Sequence, residues 1–131
     1  MNKLTQYGHP FQTKALAALV TDRDFLQQSA DIVSPEYFDS DASKWIVRKT
    51  LSYFNEYRTT PTMEVFKVEV EKIQNEVQAV AVKEQLKETY KSSQVKDLEY
   101  IKDTFLDFCK NQTLKNALIK SVDLLELGDY D

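Results

Sequence analysis

Glycine is nearly absent from this chain. Of 131 residues only Gly8 and Gly128 are glycine, so none stands between residues 9 and 127. The prolines add only Pro10, Pro35 and Pro61. A sandwich or a series of hairpins needs Gly, Asn-Gly or Pro-Gly corners at short, regular intervals. A chain without them is confined to helices joined by few breaks. The same lack removes the GxxxxGK[ST] phosphate loop and the GxGxxG dinucleotide turn, because their glycines are missing. The 42% of hydrophobic residues suffices for one core in a domain of ordinary size. No apolar run approaches the roughly 20 residues that cross a bilayer. Residues 1–6 hold no apolar signal core. No membrane role is expected, and the location is expected to be cytoplasmic.

Charge and sulfur narrow the chemistry. The chain carries 17 basic and 21 acidic residues, for a net charge of −4. Residues 1–60 are balanced at seven of each, and residues 61–131 hold ten basic against fourteen acidic. Phosphate neutralisation wants clustered Lys and Arg, and no cluster dominates, so weak or no direct nucleic-acid binding is expected. Lone Cys109 allows no internal disulfide and fits a reducing compartment. One cysteine and one histidine cannot make a zinc site.

Apolar spacing and capping residues place the helices. Residues 1–10 read as a flexible N-terminal arm, ending in Gly8-His9-Pro10, where proline disfavours helix at His9. Phe11, Ala15 and Leu19, with Leu16 and Val20, recur at helical spacing. Asp22 can cap a short helix over residues 23–30. Ser34-Pro35 opens a brief turn. Residues 42–57 carry Trp45, Ile46, Val47, Leu51, Phe54 and Tyr57 on a wide apolar stripe, which predicts the central core helix. Trp45, Tyr53 and Tyr57 are expected in the core. Thr62 caps a helix over residues 63–73, with Val65, Phe66, Val70 and Ile73 inward. Val65 to Val70 also alternate apolar with charged residues, which would suit a strand, but no neighbouring strand exists to pair with it. Residues 77–91 continue with Val77, Val80, Val82, Leu86 and Tyr90. The longest element covers residues 96–127, and Gly128 is a fitting stop. The expected architecture is therefore all-α: a head of about five helices over residues 11–94, then a long projecting helix within residues 95–131. Its expected core includes Leu16, Leu19, Trp45, Leu51, Phe54, Phe66, Phe105 and Phe108.

Nothing in the sequence assembles a catalytic centre, and the chain is read as no enzyme. His9 is the only histidine and sits in the expected arm. Cys109 would need a basic partner to act as a nucleophile, and no histidine stands three or four residues away. It reads as a core residue beside Phe108. Asp103 and Asp107 share a helix face, yet Lys102 and Lys110 flank them, which describes a solvated face. Lysines 110, 115 and 120 spread over about 15 Å of helix, too sparse a footprint for nucleic acid.

The order of features along residues 11–127 resembles the N-terminal domain of DnaB-type replicative helicases. Phe11-Gln12, Leu16-Ala17-Ala18-Leu19 and Asp22-Arg23-Asp24-Phe25-Leu26 are similar to its opening helices. Ile32-Val33-Ser34-Pro35-Glu36-Tyr37-Phe38, with Asp41-Ala42, Trp45-Ile46 and Leu51-Ser52-Tyr53-Phe54, resembles the family's proline-led turn and its next helix. Thr60-Pro61-Thr62-Met63-Glu64-Val65-Phe66 resembles the helix after that. The likeness is closest to helicases of large contractile-tailed bacteriophages, where a segment like Phe105-Leu106-Asp107-Phe108-Cys109-Lys110-Asn111-Gln112 occurs. The resemblance implies a non-catalytic domain that serves hexameric ring assembly and docks primase or a helicase loader. ATP and Mg²⁺ would belong to a RecA-like domain of the parent chain, and no cofactor is expected here. The family follows the long helix with a turn and a second helix. The chain therefore reads as part of a longer helicase, holding the head and the first arm of a hairpin, with its turn at residues 127–131. A free-standing acidic adaptor or loader of a replication complex is the alternative.

One consequence follows from length. A helix over residues 96–127 is about 48 Å long, whereas a head of about 85 residues is about 30 Å across. Its distal part must project while carrying Leu114, Leu118, Ile119, Val122 and Leu125. Exposed apolar rows of this kind mark interfaces. These five residues are the candidate self-association surface, joining two copies or a ring.

Overall fold

Short polar side chains start four of the six helices in a computed structural model of the chain, which describes residues 3–128. Asp22 accepts the Phe25 N–H ahead of α2 (Arg23–Ser29), and Ser40 accepts the Ser43 N–H ahead of α3 (Asp41–Tyr57). Thr62 does the same for Val65 at α4 (Met63–Glu71), and Asn75 for Gln78 at α5 (Glu76–Lys91). Each such bond satisfies a donor that the first helical turn leaves orphaned. α1 spans His9–Thr21 and α6 spans Leu98–Glu126. Single 3-10 turns stand at Leu4–Tyr7, Pro35–Tyr37 and Ser92–Gln94. Among the described residues there is no strand. The segment around Val68 is helical: Phe66 and Val70, four apart, face inward, and Val68 is exposed. The all-α expectation therefore holds, with α6 as its long last helix. Of the turn expected after it, residues 129–131 lie outside the described residues. Gly128 takes φ +71°, the left-handed geometry that ends helices.

The centre of the molecule is α1 rather than α3. Ala15, Leu16, Ala17 and Ala18 have no exposed surface, and Phe11 to Val20 are buried except for half-buried Lys14. A helix that is apolar all round belongs in the interior. Its alanines let α2, α3, α5 and α6 approach it from different sides. The wide stripe on α3 suggested otherwise, but α3 keeps an outer face with exposed Arg48, Ser52, Asn55 and Glu56. Tyr57, expected in the core, is 59% exposed and leans on half-buried Tyr53, with ring centroids 4.6 Å apart. Of the expected core, Leu16, Leu19, Trp45, Phe54, Phe66, Phe105 and Phe108 are buried, and Leu51 packs against them half-buried. Val77 and Val80, expected on the inner face of α5, are exposed, because Val82, Gln85, Leu86 and Thr89 form its buried face.

The expected arm is part of the body. Leu4 is fully buried in the core. Two bonds to Asp39 hold this segment: the Thr5 hydroxyl donates to Oδ1 (2.6 Å), and buried Gln12 donates from Nε2 to Oδ2 (2.8 Å). Gln12 Oε1 in turn accepts the Asp39 N–H (3.0 Å). The hydrogen bonds from Thr5 and Gln12 hold the Asp39 carboxyl below its ordinary pKa. α1 begins at His9 because Pro10 falls in its first turn, where a missing N–H leaves nothing unsatisfied. The boundary expected between residues 94 and 95 also moves. Ile101, Phe105, Phe108 and Cys109 of α6 are buried against the rest. The body therefore runs to Gln112, the last buried residue of α6.

α3 ends in an unusual way. Arg58 follows it in the left-handed conformation (φ 60°, ψ 28°) and donates its N–H to the Phe54 carbonyl at 2.8 Å. Glycine is the common residue at such a position. A side chain there costs on the order of 1 kcal/mol.

Asp22 joins two ends of the fold. It caps α2, and its Oδ2 accepts a hydrogen bond from Lys102 Nζ of α6, which also reaches Glu99. The Lys102 hydrogen bond, working against burial, holds the Asp22 carboxyl below its ordinary pKa. A carboxylate with a lowered folded pKa stabilises the fold above its ordinary pKa of 3.8, and that contribution fades as pH falls below it. We expect urea denaturation to show lower stability at pH 3 than at pH 6. The drop should be smaller in Asp22→Asn, which keeps the cap and removes the charge. An identical drop in that variant would exclude Asp22 as a contributor.

Candidate functional site

The site expected from sequence is the distal half of α6. Its buried positions, Ile101, Phe105, Phe108, Cys109 and Gln112, keep to one face at helical spacing and then stop. Residues 113–128 are all exposed. The helical part of that segment, residues 113–126, is about 21 Å long at 1.5 Å per residue.

On that projecting part Leu114 is 61% exposed, Leu118 59%, Ile119 51%, Val122 52% and Leu125 60%. At about 100° per residue, Leu114, Leu118, Val122 and Leu125 fall within an arc of about 80°, and Ile119 lies about 60° beyond it. Leu124 and Leu127 are also exposed but point elsewhere around the helix. The arc of these four residues holds no charged side chain: Ser121 borders it on one side, Lys115 and Glu126 stand between it and Ile119 on the other, and Asp123 faces away. Covering one such aliphatic side chain is worth roughly 1.5–3 kcal/mol. Four in a row give an isolated chain reason to associate.

Catalytic constellations fare worse on inspection. His9 is not free in an arm: its Nε2 lies 3.1 Å from Glu88 Oε2 and 3.4 Å from Thr13 Oγ1. A hydroxyl, a histidine and a carboxylate are thus adjacent. In a catalytic triad the acid and the hydroxyl engage opposite ring nitrogens, so that a proton can pass through the imidazole. Here both face the same nitrogen. Thr13 is also buried and accepts from Gln85 Nε2 at 3.4 Å. Cys109 is fully buried, and burial pushes its thiol up to about 12, so almost no thiolate exists at neutral pH. Asp103 and Asp107 are exposed, as a solvated face would have them. Among the described residues no group of three or more His, Cys, Asp or Glu is placed to hold a metal ion. No helix among them is long and apolar enough to cross a membrane.

Other surfaces went unnoticed in the sequence. A cleft between α2 and α3 is lined by Arg23, Gln27, Asp31, Leu51, Asn55 and Arg58, among others. A groove between α3 and α4 runs past Tyr53, Tyr57, Val65 and Val68. A smaller apolar one between α4 and α5 is rimmed by Lys67, Lys83 and Lys87. One signal for the first cleft was legible. All three arginines of the chain lie between residues 23 and 58, and every cation after residue 60 is a lysine.

Comparison with protein-family models, curated proteins and solved structures yields no match to this chain.

Proposed function

We propose that this chain is the N-terminal, non-catalytic domain of a phage replicative DNA helicase, serving hexamer assembly and the docking of primase or a helicase loader. One observation supports the reading above the others. The body is closed around α1, yet a regular helix extends past it with an apolar stripe that no described residue covers. That arrangement suits a protein that assembles through helices. The sequence resemblance supplies the particular assembly. ATP and Mg²⁺ would act on another part of the parent protein, and this domain would contribute shape and contacts.

The gene tests the proposal directly. A reading frame that runs past codon 131 into a GxxxxGK[ST] loop supports it. A stop codon there favours the free-standing adaptor.

Direct contact with DNA should be weak. The net charge of −4 opposes a polyanion, and the cations that reach across the body are already paired: Lys14 with Asp97, Lys44 with Glu36, Lys49 with Glu69 and Lys102 with Asp22. Fluorescence anisotropy with a labelled single strand should show no saturation at micromolar protein and physiological salt. Tight binding that falls steeply with salt would argue against a purely protein-docking role.

A further inference from the structure

The cleft between α2 and α3 is lined by Arg23, Arg58, Asp31, Gln27 and Asn55 around a small apolar part. Its volume is about 650 Å³, room for several side chains rather than one ion. Leu51, Phe54 and Ala30 supply the apolar lining. Arg23 is fixed from two sides, its Nε donating to the Arg58 carbonyl at 2.9 Å and its NH1 to Gln27 Oε1 at 3.0 Å. That leaves its second terminal nitrogen free to donate outward. Arg58 is held by its left-handed cap, and its guanidinium lies over the Phe54 ring, 5.8 Å from the centroid. Among the described residues that guanidinium has no hydrogen bond or ion pair. Among the described residues Arg48 has none either; it does not line the cleft but stands beyond it, seven residues and about two turns before Asn55 on the same face of α3. The lysine ion pairs Lys14–Asp97, Lys44–Glu36, Lys49–Glu69 and Lys102–Asp22 bind elements of the body together, whereas among the described residues Arg48 and Arg58 have no carboxylate, and Arg23 has only the long contact to its neighbour Asp24 at 3.7 Å. Guanidinium is the group suited to planar, two-pronged recognition of carboxylates.

We propose that this cleft binds an acidic amphipathic segment of a partner protein, its carboxylates on Arg23, Arg58 and Arg48 and its aliphatic side chains on Leu51 and Phe54. The inference deepens the docking role proposed above and rests on it. Asp31 lines the cleft and Asp24 Oδ1 is 3.7 Å from Arg23 NH1. A nucleic-acid backbone is uniformly negative and would meet both. A peptide can set an amide or a cation there. The two aspartates therefore select for a partner with spaced acids.

Arg58→Gly is the informative variant, because it removes the guanidinium while keeping the residue type the cap prefers. Its Tm should stay within a few degrees of the parent. The probes are a synthetic twelve-residue peptide of Glu, Asp and Leu, the same peptide with Lys for its acids, and a twelve-residue oligothymidylate. Each is titrated into the ¹⁵N-labelled full chain. The acidic peptide should shift the amides of Arg23, Gln27 and residues 51–58. Arg58→Gly and Arg48→Gln should each weaken it at least tenfold, and rising salt should weaken it further. Three results would overturn the proposal: no shift in the cleft, stronger shifts there with oligothymidylate than with peptide, or unchanged affinity in Arg58→Gly. Self-association through α6 is read by sedimentation, so its failure and failure at the cleft are separate outcomes.

Discussion

Leu118→Asp or Val122→Asp should turn a concentration-dependent oligomer of this chain into a monomer. The expectation rests on symmetry and area. Copies that pair through the same helix present each residue twice across a two-fold interface. If covering Leu118 is worth roughly 1.5–3 kcal/mol per copy, its loss from both costs about 3–6 kcal/mol. That is about two to four orders of magnitude in dissociation constant. A buried aspartate without a partner adds to the penalty. Both residues are more than half exposed in the single chain, so neither substitution should disturb the body. Sedimentation velocity across a concentration series of parent and variants decides the matter, with Leu124→Asp as a control off the stripe. A parent that stays monomeric at high concentration, with no change on substitution, would remove the assembly surface and with it the main support for a helicase-ring role.

The sequence made these helices legible for identifiable reasons. Without glycine to break the chain, each change of phase needed a polar cap, and Asp22 and Thr62 could be read as such, whereas Asn75 shows its cap only in the folded chain. The projecting stripe was legible because its five residues recur at helical spacing beyond any plausible body. What failed was whatever depends on a distant partner. Leu4 lies in a polar stretch, and only Asp39, on a separate turn, shows why it is held. His9 looked like an arm residue because the restriction before proline was given more weight than proline's fitness for a first helical turn. α3 looked central from its stripe, whereas centrality was decided by the alanines of α1, which carry no amphipathic signal. Arg58 is invisible as a cap, because its left-handed backbone is a property of the loop and not of arginine.

Phe105→Ala tests where the body ends. A head closed at residue 94 with a separate helix behind it would barely register the loss of a ring on that helix. The structure requires the opposite. Phe105 is fully buried, and its ring centroid lies 6.0 Å from both Phe25 of α2 and Phe38 of the turn before α3. The three rings clamp the first half of α6 to two other segments, and aromatic pairs at this separation add to simple burial. Truncation of a buried phenylalanine costs about 3–5 kcal/mol, against a total stability of about 5–15 kcal/mol for a typical domain. With an unfolding entropy of about 2.1 cal/mol/K per residue, that is a fall in Tm of roughly 10–18 °C for a chain of this length. Val68→Ala, at a 58% exposed position, should change stability by less than about 0.5 kcal/mol. Thermal unfolding followed by circular dichroism compares the two. Equal, small shifts would detach α6 from the core. A large fall in one cooperative transition would make the first half of α6 part of the single folding unit, and leave, on that helix, only the residues after Gln112 to serve a partner.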